Sequence, residues 1–552
     1  MYTRKIALIL TFTLCLLSAD AIVRKEIHTY KKTENGYILE FTRTMKRLSE
    51  FSRTYWADPR ILVEKGQVFK IKAAYTVNSR GQKIDVPATG IHTLTPAGLQ
   101  KYPYFSFLME KTINFLGIDL PSESTLSYTL SVEGEPVDET FHLGEPAFSK
   151  EKTWKFFNFK GVFFDAPGEN PEINNVQIGE NKGIQVRFKD IPPYPYEPHQ
   201  LPSEVFIVST RNGWKELGSE LNAIFAQEEG LSDKSLSLIT GKDAYSILTS
   251  VKQLISRVKI PIKYSIFKAR SGEEAFATRY ASQAEMALIL MDIYTARGYK
   301  ALPFLIASTD RFSERVPAVS QFEDAGVYLP DLELYITSDL IPRKTFNNKV
   351  LYVLLPSPHF MRFPVMKTSD KQVNIIVKIT EQKIQGEISA RGNFLLFGDA
   401  SSLARKILSK AGLSAKITFA NLTGQKLTFS GELVRTGDTI KIRPDLKLLP
   451  EDAGTFALPR ITPIDLKEPF DVNLKIILST QGNIIYIPPD FTITNSTGKF
   501  VVKSTKTGNG AEITYRVSVN KGVISPEEAE NLKNIWAASR DKGTTYIIYL
   551  SK

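Results

Sequence analysis

The sequence predicts an α+β protein in which two β-rich, sandwich-like domains flank a mixed helix-and-strand core. Three observations predict it. Apolar residues recur at period two along residues 22–189 and 366–552. Helical apolar spacing concentrates between them, in 205–365. The stretch "DIPPYPYEPHQLPSE", 190–204, holds five prolines and reads as a linker, because proline cannot continue a helix or an interior strand.

The first element is a targeting segment. "MYTRKIALILTFTLCLLSADAIVRK" places Arg4 and Lys5 before a 12-residue apolar run, Ile6 to Leu17. Ala19-Asp20-Ala21 has the small-x-small form of a cleavage site, so residues 1–21 read as a signal peptide and the mature chain as periplasmic or secreted. The run falls short of the ~20 residues a membrane span needs, and no transmembrane segment is expected after its removal. An uncleaved anchor is the alternative. Cys15 is the single cysteine, so the mature chain has no disulfide, no zinc-cysteine site and no thiol nucleophile.

The N-terminal β domain, 22–189, follows. "QVFKIKAAYTV" places Phe69, Ile71, Ala73, Tyr75 and Val77 on one face, "NSRG" turns, and "QKIDV" returns. "STLSYTLSV" repeats the alternation with Leu126, Tyr128, Leu130 and Val132. In the core, "KDAYSILTSVKQLISRV" carries a helical stripe of Ala244, Ile247, Leu248, Val251, Leu254, Ile255 and Val258, and "KIPIKYSIF" reads as extended. "RYASQAEMALILMDIYTARGYKALPFLIAS" reads as a helix feeding a buried strand. Ser282 and Glu285 have capping-box spacing, which puts Gln283 in the first turn, and Gly298 ends the helix. "AGVYLPDLELYITSD" reads as a hairpin turning at Pro330-Asp331. In the C-terminal β domain, 366–552, "KQVNIIVKI" alternates Val373, Ile375, Val377 and Ile379. "TGNG" turns a hairpin, one late helix starts at Ser525-Pro526 with Glu528 completing its box, and "TTYIIYL" closes as a strand.

Composition excludes several function classes. The net charge of +11 becomes +10 without residues 1–21, but the basic residues are scattered and no nucleic-acid-binding motif is present. His28, His92, His142, His199 and His359 lie far apart along the chain, so no local metal motif exists and no cofactor or metal is expected. No GxSxG elbow or phosphate-binding loop occurs. Carboxylate pairs such as Glu273/Glu274 and Asp331/Glu333 have the residue type for glycoside hydrolysis, and "YPYF" (102–105) and "YPY" (194–196) for a sugar platform. Solvated faces and interface packing are the simpler accounts.

The order of elements resembles a bacterial family of exported proteins. That family joins an N-terminal β domain of unknown function to a transglutaminase-like, papain-like α+β core and a β C-terminal domain. "INFLGIDLPSESTLSYTLSVEG" is similar to its first domain and "GAEITYRVSVNKGVISPEEAENLKNIW" to its closing segment. The family's central helix opens on Arg-x-Gly-Asp-Cys. Here Arg279, Ala296, Gly298 and Pro303 match, and the cysteine position holds Gln283. The family's histidine, in Phe-Asn-His, falls on Asp324 after Phe322, and its aspartate falls on Thr337 after Leu334 and Tyr335.

The resemblance implies a kept scaffold with all three chemical positions changed. A helix-N-terminal cysteine works because the dipole and an imidazolium stabilise its thiolate. Glutamine offers no comparable nucleophile, and Thr337 has no histidine to orient. A pseudoenzyme is therefore expected, binding a peptide, protein or glycan or scaffolding an envelope assembly. Gln283 is expected to bond to Asp324 or a ligand, and Ser282 to spend its oxygen on a backbone N–H. The alternative is a hydrolase or acyltransferase with a relocated serine or carboxylate site. A cleft rich in perturbed carboxylates favours that alternative; aromatic and neutral polar lining favours binding. Protein recovered from cell envelopes is expected to start at Ile22, and an intact mass that begins at Met1 contradicts the cleavage.

Overall fold

The computed structural model describes residues 20–226, 230–434, 439–442, 444 and 460–550. Residues 1–19 of the expected signal peptide lie outside them. The described chain is a β-rich, mixed α+β, multidomain protein.

The N-terminal unit is built on an eight-stranded sheet. Its order is Glu172–Ile178, Asn181–Ile191, Phe148–Phe157, Ala21–Thr33, Gly36–Arg47, Ser122–Glu133, Val68–Val77, Lys83–Asp85. Neighbours are antiparallel except Ala21–Thr33 with Phe148–Phe157, which run parallel. Alternation is interrupted once in Val68–Val77. A bulge between Ile71 and Ala73 shifts the register, so Ala74 and Thr76 are buried instead of the expected Ala73, Tyr75 and Val77. The sheet also buries charge. Lys152 pairs with Glu145 at 2.8 Å, and Arg43 bridges Glu145 and Glu26. Burial alone would raise the Glu26 carboxyl, but Lys152 and Arg43 hold it well below the usual range.

Residues expected to open the core complete this unit instead. Val205–Ser209 lies between Phe163–Asp165 and Asp138–His142 in a three-stranded sheet. The expected boundary at 205 falls inside that sheet, because five consecutive buried residues there find their ladder partners in the N-terminal unit. The other boundary, 189/190, falls inside Asn181–Ile191. The proline-rich segment forms no strand beyond Ile191 and is strapped by side chains. Glu197 accepts from the Ile461 and Thr462 N–H groups, and Tyr194 donates to the Leu201 carbonyl.

The core places the helix Gln283–Ala296 against an antiparallel sheet ordered Pro342–Arg343, Leu334–Thr337, Asp324–Leu329, Leu302–Ser308, Lys349–Val353, His359–Phe363. The helix is buried on nearly every side. Helices Trp214–Phe225, Ala244–Leu254 and Gly272–Thr278 and the strand Asp324–Leu329 share its core. "IPIKYSIF" departs from the sequence reading. Ile262–Phe267 is a helix, started by Pro261 at φ −54° and held by burial of Ile262 and Ile266.

The C-terminal unit repeats the eight-strand plan: Ala415–Thr423, Lys426–Leu433, Lys383–Gly392, Lys371–Thr380, Phe470–Ser479, Gly510–Val519, Gly498–Thr507, Phe491–Asn495. Its apolar face is covered by helices Ala400–Lys410 and Ala529–Arg540 and by the small sheet Thr439–Ile442, Ile547–Leu550, Ile484–Tyr486. The opposing layer is thus part helix, where a two-sheet sandwich was expected. Among the described residues no helix is long and apolar enough to cross a membrane.

Asp292 is a strained feature of the central helix. Burial, with Glu273 nearby, pushes its carboxyl up to about 7. Gly272 is packed so closely that a Cβ there would lie 2.4 Å from Asp292 Oδ2. Below about pH 4 the carboxyl is protonated folded or unfolded; from there to about 7 the folded state increasingly bears the cost of the buried charge. Asp292→Asn is expected to raise stability by about 2–3 kcal/mol at pH 8 and by nothing at about pH 4. Denaturant midpoints across that range check it; a variant with the parent's pH dependence contradicts it.

Candidate functional site

The short strand Tyr280–Ala281, paired in parallel with Ser256–Arg257, delivers the chain to the N-terminus of the central helix. The expected box of Ser282 and Glu285 is present at the cap, and a second serine adds to it. The Ser282 N–H donates to Glu285 Oε2 at 2.8 Å, as a capping box requires. The Ser282 hydroxyl also reaches the Ser265 carbonyl at 3.5 Å, and the Ala284 N–H is taken by Ser265 Oγ at 2.8 Å. The incoming helix Ile262–Phe267 thus supplies an oxygen beside that of the local serine. Ser282 is 0% exposed, which removes it from solvent and substrate.

Glu285 is equally enclosed and is held by Arg270. Arg270 Nε donates to Oε1 at 2.8 Å, Nη2 to Oε2 at 3.0 Å, and the Arg270 N–H to Oε1 at 3.0 Å. The remaining guanidinium donors reach Thr278 Oγ1 and the Tyr280 carbonyl. Tyr104, from the N-terminal unit, covers the guanidinium at 4.4 Å and Tyr280 does so at 4.8 Å. The "YPYF" segment therefore packs an interface: Phe105 is buried and Tyr104 is spent on Arg270.

The three positions singled out by resemblance line one cleft of about 670 Å³. Gln283 lies in the first turn of the helix, Asp324 opens the adjacent strand, and Thr337 ends the next one, where it pairs with Gly326. Their bonds are not to one another. Gln283 Nε2 donates to the Ile260 carbonyl at 2.7 Å and its Oε1 accepts from the Ile260 N–H at 3.2 Å. The expected bond to Asp324 is replaced by this backbone clamp, since a primary amide offers one donor and one acceptor to the carbonyl and N–H of a single residue. Asp324 Oδ2 accepts from Arg257 Nη2 at 3.0 Å; Oδ1 accepts from Ser338 Oγ at 2.5 Å and the Ala325 N–H at 2.9 Å. Burial pushes this carboxyl above its ordinary range despite Ser338 and Arg257. Thr337 Oγ1 donates to Asp339 at 2.6 Å and accepts from Arg343 at 2.8 Å.

Sequence reasoning missed the ionic wall of the cleft. Glu323 takes Lys349 at 2.6 Å and Arg311 at 2.8 Å; burial alone would raise its carboxyl, but these cations bring it down to about 2. Lys263 meets Glu139 of the N-terminal unit. Burial would lower the Lys263 ammonium, but Glu139 holds it far above its ordinary range. Ser338 and Asp339, directly after Thr337, are within reach of the motif; Arg257 and Lys263 lie in segments whose only signal is apolar patterning, and Lys349 in one with no motif. Among the described lining residues there is no histidine. The carboxylate pairs read from sequence lie elsewhere. Glu273 caps around Ser232 and Ser235, Glu274 completes the cap at Ser271, and Asp331 and Glu333 occupy a turn. Among the described residues no group of three or more potential metal ligands converges.

Residues 455–549 match a domain family of unknown function, DUF3858. The chain is similar in fold to a candidate protease from Parabacteroides distasonis ATCC 8503. That likeness has a TM-score of 0.69 at 13% identity and covers 96% of this chain and 99% of that one. An M1 zinc metallopeptidase from Deinococcus radiodurans covers 34% of this chain and 42% of its own at 11% identity, with a TM-score of 0.19, too low to bear on the fold. No curated protein matches the chain.

Two substitutions separate the roles of adjacent groups. Glu285→Ala leaves Arg270 charged and enclosed, and is expected to cost about 3–5 kcal/mol. Gln283→Ala leaves the Ile260 N–H and the Ile260 carbonyl without their partner, and is expected to cost about 1–3 kcal/mol. Chemical denaturation of both variants checks the order, and a smaller loss for Glu285→Ala overturns it.

Proposed function

We propose that this chain is an exported, non-catalytic protein with a transglutaminase-like core, whose cleft holds a peptide or protein segment of the cell envelope. The observation that carries this is the engagement of Gln283. In the position where the resembled family keeps its nucleophile, both polar atoms of the side chain are spent on Ile260. The position of the family's base holds Asp324, salt-bridged to Arg257, and that of the orienting carboxylate holds Thr337, bonded to Asp339. Such a constellation clamps backbone and charge but has no activated nucleophile. Peptide is favoured over glycan by the lining. A glycan platform needs exposed ring faces, and the aromatic liners Phe322 and Phe346 are 3% and 5% exposed. Paired charges such as Lys349–Glu323 and Arg343–Asp339 suit a chain that brings both signs and backbone amides.

A second reading has an observation of its own. Asp324 and Glu323 are adjacent carboxylates in one cleft whose environments push their protonation in opposite directions, the pattern of an acid and its charged partner. On that reading the protein is a hydrolase with Asp324 as the acid.

One pair of measurements decides. Incubation with activated esters and amides is expected to leave the intact mass unchanged, and envelope peptides retained by the parent are expected to be lost when the cleft is altered by Lys349→Glu. An acyl adduct, or peptide or glycoside turnover that disappears in Asp324→Asn, overturns the non-catalytic reading.

A further inference from the structure

A second cavity, of about 520 Å³ and sharing no lining residue with the cleft, lies where the core meets the C-terminal unit. Helix Ala244–Leu254 forms one wall, helix Ala400–Lys410 another, and strands Lys371–Thr380 and Phe470–Ser479 the floor. Its interior is apolar: Leu248, Leu340, Val373, Ile375, Phe394 and Leu403 face it. Protein interiors close on themselves at near-crystalline density, and an apolar lining left open between packed elements is a surface that a chain of matching chemistry can cover. A void of this size lies within the range of small-molecule sites, about 300–1,000 Å³.

The polar lining is one-sided. Lys252 comes from the core helix and Lys406 and Lys410 from the C-terminal helix, and all three are exposed. Lys406 and Lys410 stand four residues apart, on the same helix face, a spacing at which like charges repel. Among the described residues no ion pair relieves any of the three. Asp399 is the sole carboxylate among the described lining residues, and it is engaged as the helix cap, accepting from the Ser402 N–H at 2.7 Å. Two units thus place three exposed lysines in the lining of an apolar pocket. Each observation alone is ordinary; together they describe a receptor with an apolar body and a cationic collar. Lysine is a flexible point charge that suits a monodentate or rotating headgroup better than a planar fork would.

We propose that this cavity binds a single-chain anionic amphiphile, with its alkyl or acyl chain among the apolar residues and its carboxylate or phosphate at Lys252, Lys406 and Lys410. The site is independent of the cleft and stands whether or not the cleft is catalytic.

The test titrates the full mature protein with cis-parinaric acid and follows its fluorescence. Displacement by hexadecanoate and by a palmitoyl lysophosphatidylglycerol distinguishes a free fatty acid from a lysophospholipid as the source, and saturable displacement by either supports the site. Hexadecyltrimethylammonium and hexadecanol are the charge controls, all below their micellar concentrations. The surface variant K252E/K406E/K410E is expected to weaken the anions by about tenfold, the combined effect of three exposed charge contacts, and to favour the cationic chain. Leu403→Trp, which fills the cavity, is expected to abolish binding of every chain. If that variant does not fold, the charge-reversed protein, altered only at exposed lysines, decides alone. Equal binding of anionic, neutral and cationic chains overturns the proposal, as does anion binding that survives charge reversal.

Discussion

Arg270 and Glu285 form an ion pair with 6% and 0% of their side chains exposed, and the geometry around the cleft depends on it. Removing two charges from water costs more than their attraction returns unless the remaining donors and lone pairs are also met. Here they are. Glu285 takes two guanidinium bonds and two backbone N–H groups, and Arg270 spends its other donors on Thr278 and Tyr280. Each of those bonds fixes a different piece of chain. The start of the central helix, the strand that feeds it and the end of helix Gly272–Thr278 are tied to one guanidinium. Because Tyr104 closes over that guanidinium, the N-terminal unit is seated by it too.

The neighbouring cleft follows from this seating. Gln283 is two residues from Glu285, so the clamp on Ile260 forms where the ion pair has already set the helix end. Around it, units meet through charge. Lys263 of the core reaches Glu139 of the N-terminal unit, and Arg343 of the core reaches Glu468 of the C-terminal unit, which Lys371 of that unit also pairs. Partly buried pairs of this kind add little to stability compared with apolar burial, but leaving one member unpaired is costly. They therefore specify how the units fit together more than how tightly they hold.

The two large cavities have opposite electrostatics. The cleft contains both signs, and most of its charges are matched by a neighbour within its own walls. The apolar cavity carries uncompensated positive charge at its rim and almost no polar group inside. The first can change partners without a net charge cost. The difference arises because the cleft is walled by strand ends and loops, where charged side chains are tolerated, whereas the cavity lies between the apolar faces of two helices and a sheet.

Much of the fold was legible in the sequence because it is local. Period-two apolarity marked Lys371–Thr380, Ser122–Glu133 and Gly510–Val519, and their inward residues are the buried ones. The helix Gln283–Ala296, its glycine stop at Gly298 and the hairpin at Pro330 carry their signals within a few residues. Where a long-range partner overrode a local rule, the sequence misled. A bulge moved the buried face of Val68–Val77, Ser265 added an unforeseen bond to the cap at Ser282, and Val205–Ser209 joined a sheet behind the linker. For the cleft, the family resemblance singled out positions 283, 324 and 337, and the fold places all three in its lining. Which groups they bond was decided only by tertiary structure. Ile260 and Arg257 reach Gln283 and Asp324 from other segments, Asp339 meets Thr337 from two residues along the chain, and a buried donor or acceptor takes whichever partner the packing delivers.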